Sequence, residues 1–85
     1  MFWVYILRSE KTGGLYVGHT EDLPQRVDRH NDGTACRYTR GRGPWQLVHS
    51  EVHATRSEAI ARERFLKSVG GSREKKRLAG VAQLG

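Results

Sequence analysis

Apolar residues fall in short, bounded runs along the chain, and each run has a period that predicts an element. Phe2 to Leu7 is aromatic and β-branched, Leu15 to Gly18 is a second short run, and Lys11-Thr12-Gly13-Gly14 between them supplies turn chemistry. The pair reads as a β-hairpin. With Tyr5 set opposite Tyr16, Val4 faces Val17 and Ile6 faces Leu15. One face is then aliphatic, and the other carries Trp3, Tyr5, Leu7 and Tyr16. Asp22 is placed to cap a helix with Pro24 in its tolerant first turn and Leu23 and Val27 as its apolar stripe. This helix runs to about Asn31 and stops before Gly33. From Gly33 to Pro44, Arg, Gly and small residues allow a short helical turn and no long element. Trp45 to His53 has the composition of a third strand, with Leu47 alternating against Val48 and Val52. Thr55 and Glu58 form a capping box at the head of a helix that ends at Gly70-Gly71, and a last short helix follows Ser72.

This order predicts an α/β (α+β) fold, a small three-stranded antiparallel sheet flanked by helices. It forms a single domain over residues 1–85 with its core at about 2–80. There is no internal repeat and no low-complexity tract. At 85 residues one compact core is the limit, because a domain of this size buries only about 60% of its unfolded surface.

Charge narrows the partners. The formal net charge is +6 and the pI about 10.1, and 11 of the 15 cations are Arg. The rigid guanidinium fork suits phosphate oxygens, which favours nucleic acid over a merely solubilising charge excess. Cys36 is the only cysteine, so a disulfide framework and a cysteine-rich zinc site within one chain are excluded, and a reducing compartment fits. The apolar opening is too short to span a membrane and lacks a signal-peptide pattern, so a cytoplasmic protein without a membrane partner is expected.

Several residues have the chemistry for a reactive site. Arg26 and His30 lie one helical turn apart beside the Leu23 and Val27 stripe, where they could clamp a phosphate and exchange a proton; taken alone, such a pair is usually just a helix surface. Glu63 follows Ile60 by three residues and precedes Leu66 by three, so a carboxylate interrupts an apolar stripe. It needs a cation or a metal there, or it is half of a structural ion pair with an Arg, or the helix register is slightly rotated towards solvent. Tyr5 and Tyr16 place two phenols on one sheet face, and a phenol works as a base only where a cation or metal favours the phenolate. Between Cys36 and Trp45, Arg37, Arg40 and Arg42 alternate with Tyr38, Thr39 and glycines, a composition suited to tracking a backbone and stacking on bases. His19, His49 and His53 have no partner at metal-ligand spacing.

Taken in order, these residues resemble the GIY-YIG nuclease superfamily, in particular its small single-domain bacterial branch, over almost the whole chain. Val4-Tyr5-Ile6 resembles the first signature triplet. Tyr16-Val17-Gly18 with His19-Thr20 resembles the second, and Arg26 through His30-Asn31 the helix motif. Tyr38-Thr39-Arg40-Gly41 precedes Pro44 and the strand containing Glu51 as in the small-protein branch, and Arg62-Glu63 resembles the segment bearing the metal-ligand glutamate. The first triplet lacks the glycine that names the family, Val17 stands for isoleucine, and no Asn follows Asn31, where larger relatives carry one late in the module.

The resemblance implies hydrolysis of a DNA phosphodiester with Mg²⁺ or Mn²⁺. In that reading Glu63 holds the metal, Arg26 binds the scissile phosphate, Tyr5 or Tyr16 activates the attacking water, and His30 completes the helix motif. His19, Asn31, Arg37, Tyr38, Arg40 and Arg42 are the expected nucleic-acid contacts. The expected substrate is weakly specific DNA in repair or recombination, branched, nicked or single-stranded. The alternatives are a non-catalytic nucleic-acid-binding protein on a nuclease scaffold and a small structural component of a ribonucleoprotein assembly.

Overall fold

A computed structural model of the chain describes residues 1–80, so the last five residues of the expected 1–85 unit lie outside it. Strands β1 (Phe2–Ser9), β2 (Leu15–Thr20) and β3 (Trp45–His53) form one antiparallel sheet in the order β2-β1-β3, with helices α1 (Leu23–Asp32), α2 (Arg56–Lys67) and α3 (Ser72–Leu78). This is the expected α+β architecture. Among the described residues no helix is long and apolar enough to cross a membrane.

Alternation along the central strand sorts the core into two layers. Val4 and Ile6 pack with Val17, with Ala59 and Leu66 of α2 and with Ala79, whereas Tyr5 and Leu7 pack with Trp45, Tyr16 and the α1 residues Leu23 and Val27. Helices α2 and α3 therefore cover the aliphatic face and α1 the aromatic one. Ile6, Leu7 and Leu66 are wholly withdrawn from water, which stabilises the fold by about 1.5–3 kcal/mol each.

The hairpin register differs from the expected one by two residues. Tyr5 lies opposite Gly18, and Tyr16 lies opposite Leu7. A shift of two keeps every side chain on its face, so both tyrosines still share the aromatic side. The cause is Ser9, whose buried Oγ accepts the amides of Lys11 and Thr12 at 3.1 and 2.9 Å and so widens the turn. Ser9 and Gly14 then close the loop.

In β3 the expected alternation breaks. A register shift between Ile6 and Leu7 pairs Ile6 with His49 and Leu7 with Leu47, leaving Val48 as the extra residue of a bulge. Val48 packs on the aliphatic core, but Val52 and Leu47 are exposed. Because the bulge changes the parity of the strand, Trp45 joins the aromatic face while His49, Glu51 and His53 fall opposite the aliphatic residues Ile6, Val4 and Phe2.

The helix ends follow local chemistry. Asp22 accepts the amide of Gln25 at 3.1 Å, and Gly33 closes α1 in the left-handed region at φ 85°, where a Cβ would be strained. Thr55 accepts the amide of Glu58 at 3.1 Å. Helix α2 stops at Lys67, ahead of the expected Gly70-Gly71, because the Ser68 hydroxyl donates to the Phe65 carbonyl at 2.6 Å and its backbone turns extended.

Candidate active site

Helix α1 carries His30 into the aromatic layer, where the imidazole is almost completely buried. Its Nε2 lies 2.8 Å from the Tyr5 hydroxyl, and its Nδ1 lies 2.9 Å from Thr39 Oγ1, which in turn donates to the Cys36 carbonyl at 3.4 Å. With Tyr5 donating to Nε2 and Nδ1–H donating to Thr39, every proton has a place. Burial, reinforced by the Arg26 charge, holds His30 down at about 4, so the ring is neutral. Burial pushes Tyr5 up to about 12 against the pull of Arg26, so the phenol is also neutral at rest.

Gly18 makes room for this arrangement. A Cβ at that position would lie 2.5 Å from the Tyr5 hydroxyl and 2.7 Å from its Cζ. The second triplet of the sequence therefore ends in glycine because the Tyr5 ring lies across it. Tyr16 stands beside the pair, with ring centroids 6.4 Å from Tyr5 and 4.9 Å from His30. Burial also raises Tyr16, and its hydroxyl faces the Cys36 thiol.

Glu63 projects from α2 towards the outer strand β2. One carboxylate oxygen lies 2.5 Å from His19 Nδ1, and the other accepts from Lys67 Nζ at 2.7 Å. Burial disfavours its charge, but the His19 and Lys67 hydrogen bonds prevail and hold the carboxyl below its usual range. The carboxylate interrupting the apolar stripe is thus ionised and doubly bonded. Its partners are a histidine and a lysine, not the arginine that a simple ion pair suggested.

Among the described residues no group of three His, Cys, Asp or Glu side chains forms a multidentate metal site. The donor set still fits a hard cation of the Mg²⁺ type, which takes one or two carboxylates and keeps most of its waters. Glu63 supplies one ionised carboxylate. A cation would take the place of Lys67, which is itself half in solvent.

Arg26 and His19 line a cavity of about 420 Å³ together with Thr20, Gln25 and Arg56. Arg26 also faces the Tyr5 hydroxyl and His30. The structure therefore brings Tyr5, Tyr16, Arg26 and His30 together on the aromatic face, whereas Glu63 is held by His19, opposite Val4 of the aliphatic face, and by Lys67.

The expected nucleic-acid contacts divide. Arg37 and Tyr38 are exposed. Arg40 donates to the Gly33 carbonyl at 3.2 Å, while Arg42 bonds the Tyr38 carbonyl and sits 4.7 Å from that ring. Asn31 does something else: its amide accepts from Trp45 N at 2.6 Å and donates to the Trp45 and Val27 carbonyls, pinning the start of β3 to α1. Two residues were not singled out in the sequence. Thr39 is fully buried on His30, and nothing in its surroundings announced that. Lys67 was visible as the i, i+4 partner of Glu63.

The chain is similar to known proteins over most of its length. The GIY-YIG catalytic domain matches residues 1–77. A UPF0213 protein of Haloquadratum walsbyi is 49% identical over 74 residues, 87% of this chain and 80% of the relative. One from Staphylococcus saprophyticus is 42% identical, covering 87% of each chain. The solution NMR structure of a UPF0213 protein from Bacillus halodurans is similar with a TM-score of 0.54 and 36% identity, over 95% of this chain and 85% of that one.

Proposed function

This chain belongs to the GIY-YIG catalytic-domain family, and on that premise we propose that it is a divalent-metal-dependent endonuclease that hydrolyses DNA phosphodiester bonds. The observation that carries the reading is the hydrogen-bonded chain from the Tyr5 hydroxyl to His30 Nε2, 2.8 Å away, and on to Thr39, with the Arg26 charge acting on both Tyr5 and His30. It offers a route for one proton beside a cation suited to a phosphate.

Arg26 binds a non-bridging oxygen of the scissile phosphate, and its contact strengthens as charge builds there. Tyr5 orients the attacking water and takes its proton while passing its own to His30, which Thr39 holds in the matching tautomer. The base is assigned to Tyr5 rather than Tyr16 because the Tyr5 hydroxyl faces Arg26, whereas the Tyr16 hydroxyl faces Cys36. Tyr16 walls the site and keeps His30 dry. Glu63 would hold Mg²⁺ or Mn²⁺, which would supply electrostatic stabilisation of the charge that builds in the reaction. With a cation on that carboxylate, Lys67 would be released towards the phosphate backbone. Weakly specific cutting of branched, nicked or single-stranded DNA in cytoplasmic repair or recombination fits a basic loop that offers phosphate contacts and little base-edge reading.

A second reading, a nucleic-acid-binding protein that does not cut, draws support from the two N–H donors on the Glu63 carboxylate. Single-turnover nicking of supercoiled plasmid in Mg²⁺ and in EDTA, by wild type and Arg26→Ala, separates them. The nuclease reading expects nicking in Mg²⁺ alone and a loss of about 10²–10³ in rate for Arg26→Ala, beyond any loss of affinity. Absence of nicking by the wild type would leave the second reading.

A further inference from the structure

Glu63 stands between two cavities. His19, on one of its oxygens, lines the Arg26 cavity, and Lys67, on the other, lines a separate cavity of about 340 Å³ walled by Leu15, Tyr16, Val17, Tyr38 and Lys75. The second cavity has no assigned role in the chemistry above. Resting on the nuclease reading, we propose that it seats one unpaired nucleobase of the nucleotide next to the scissile phosphate, with Lys67 and Lys75 on the flanking phosphates.

Its walls have the composition such a ligand needs. Leu15 and Val17 give an apolar floor, Tyr16 and Tyr38 give aromatic sides, and among the described residues no carboxylate lines the opening. The two lysines come from different helices, α2 and α3, and converge on the same mouth. An apolar and aromatic interior with a cationic rim complements a planar base joined to an anion. The volume lies near the low end of the roughly 300–1,000 Å³ typical of ligand pockets, the scale of one nucleotide and not of a helix.

Tyr38 is the telling residue. Half of it is exposed, yet it is not loose: its ring stacks on Tyr16 at 5.8 Å with 27° between planes, and the Arg42 guanidinium lies 4.7 Å from its centroid. Arg42 also bonds the Tyr38 backbone carbonyl and so fixes the loop beneath the ring. An aromatic held in place at the surface, outside the buried core, forms a fixed wall of the cavity that a base entering it meets. A base inside a duplex presents only its edges, so a base that enters this cavity must first leave its stack, which costs a few kcal/mol unless it is already unpaired. The substrate class that follows is DNA with a splayed or single-stranded nucleotide at the cut, as at a flap, branch or nick.

The test is binding in EDTA, where cutting does not intervene, of single-stranded and fully paired oligonucleotides of one sequence, measured by fluorescence anisotropy. Wild type should bind the unpaired strand about 10-fold more tightly than the duplex. Tyr38→Ala should lose about 10-fold on the unpaired strand and little on the duplex, while Tyr38→Trp retains the preference. Lys75→Gln should lose affinity in the same order and covers the case in which Tyr38→Ala disturbs its loop. Equal affinity of the wild type for both forms, or equal losses on both in the two variants, would overturn the proposal. The nuclease reading fails separately: base-dependent binding without nicking in Mg²⁺ removes the enzyme and keeps the pocket, and nicking with binding indifferent to Tyr38 does the reverse.

Discussion

The Tyr5 hydroxyl lies 2.8 Å from His30 Nε2, and both side chains are almost completely buried. The two residues come from the central strand and the first helix, so the contact ties the sheet to α1 and joins the phenol to the proton acceptor it needs. Burial holds both groups neutral, Tyr5 up at about 12 and His30 down at about 4. Neither is a free base, and their competence lies in passing a proton between them.

Tyr5→Phe should therefore lower turnover by about 10²–10⁴ while DNA affinity in EDTA stays within about twofold. It should also destabilise the fold by about 1–3 kcal/mol, because His30 Nε2 loses its partner in a dry place. Single-turnover nicking and urea denaturation read the two effects. Turnover within threefold of wild type would remove Tyr5 as the base.

Gly18→Ala tests the packing on which the relay depends. A methyl 2.5 Å from the Tyr5 oxygen must push the ring or the strand aside, at about 1–3 kcal/mol, and the hydroxyl leaves His30. Denaturation midpoint and nicking should fall together. A variant as stable and as active as wild type would show that the close approach is unimportant.

The pH dependence of stability follows from His30. Its folded value of about 4 lies below the ordinary 6.5, so between these values the unfolded chain binds the extra proton. Stability is thus fully present above about pH 6.5 and is lost as pH falls through 4, by at most about 3 kcal/mol. Glu51 adds loss at lower pH: burial opposes its charge, but bonds from Arg62, His49 and His53 hold it at about 2 against an ordinary 4.5. Its contribution fades as pH falls from about 4.5 to 2. Urea denaturation at steps from pH 7.5 to 4 should show the first loss in wild type and a smaller one in His30→Gln. Equal slopes in the two proteins would mean that His30 does not carry it.

Salt dependence locates the binding surface. Neutralising phosphates releases counterions, with a slope of about −0.9 per contact on duplex DNA. Replacing Arg37, Arg40 and Arg42 together by Ala should flatten the slope by at least one contact, chiefly through the exposed Arg37. Arg40 already serves the Gly33 carbonyl. An unchanged slope would move the interface off this loop.

Much of this was legible in the chain because strand alternation and helix caps are local. The two faces of β1, the Asp22 and Thr55 caps and the Gly33 stop need only neighbouring residues. The hairpin register does not: it depends on the Ser9 hydroxyl turning back onto Lys11 and Thr12, which matching tyrosines across the turn cannot show. The Val48 bulge likewise arises from pairing with β1, and it decides which face Glu51 and Trp45 occupy. At the site, Tyr5, Tyr16, Arg26, His30 and Glu63 were named from their chemistry and order. Thr39 escaped because its partner is nine residues away on another element, and Asn31 turned out to hold backbone because Trp45 returns beside α1.

Glu63 is where the enzyme and non-enzyme readings part, and one variant tests it. Glu63→Gln keeps the shape and an acceptor for Lys67 but removes the charge a divalent cation needs. Lys67 is half exposed, and His19 Nδ1 can accept from the new amide in its other tautomer, so the lost charge pairing should cost less than about 1 kcal/mol. Plasmid nicking in Mg²⁺ by this variant, run beside its melting curve and its DNA affinity in EDTA, should show cleavage abolished with fold and binding retained. A folded Glu63→Gln protein that still nicks in Mg²⁺ at the wild-type rate would contradict the assignment.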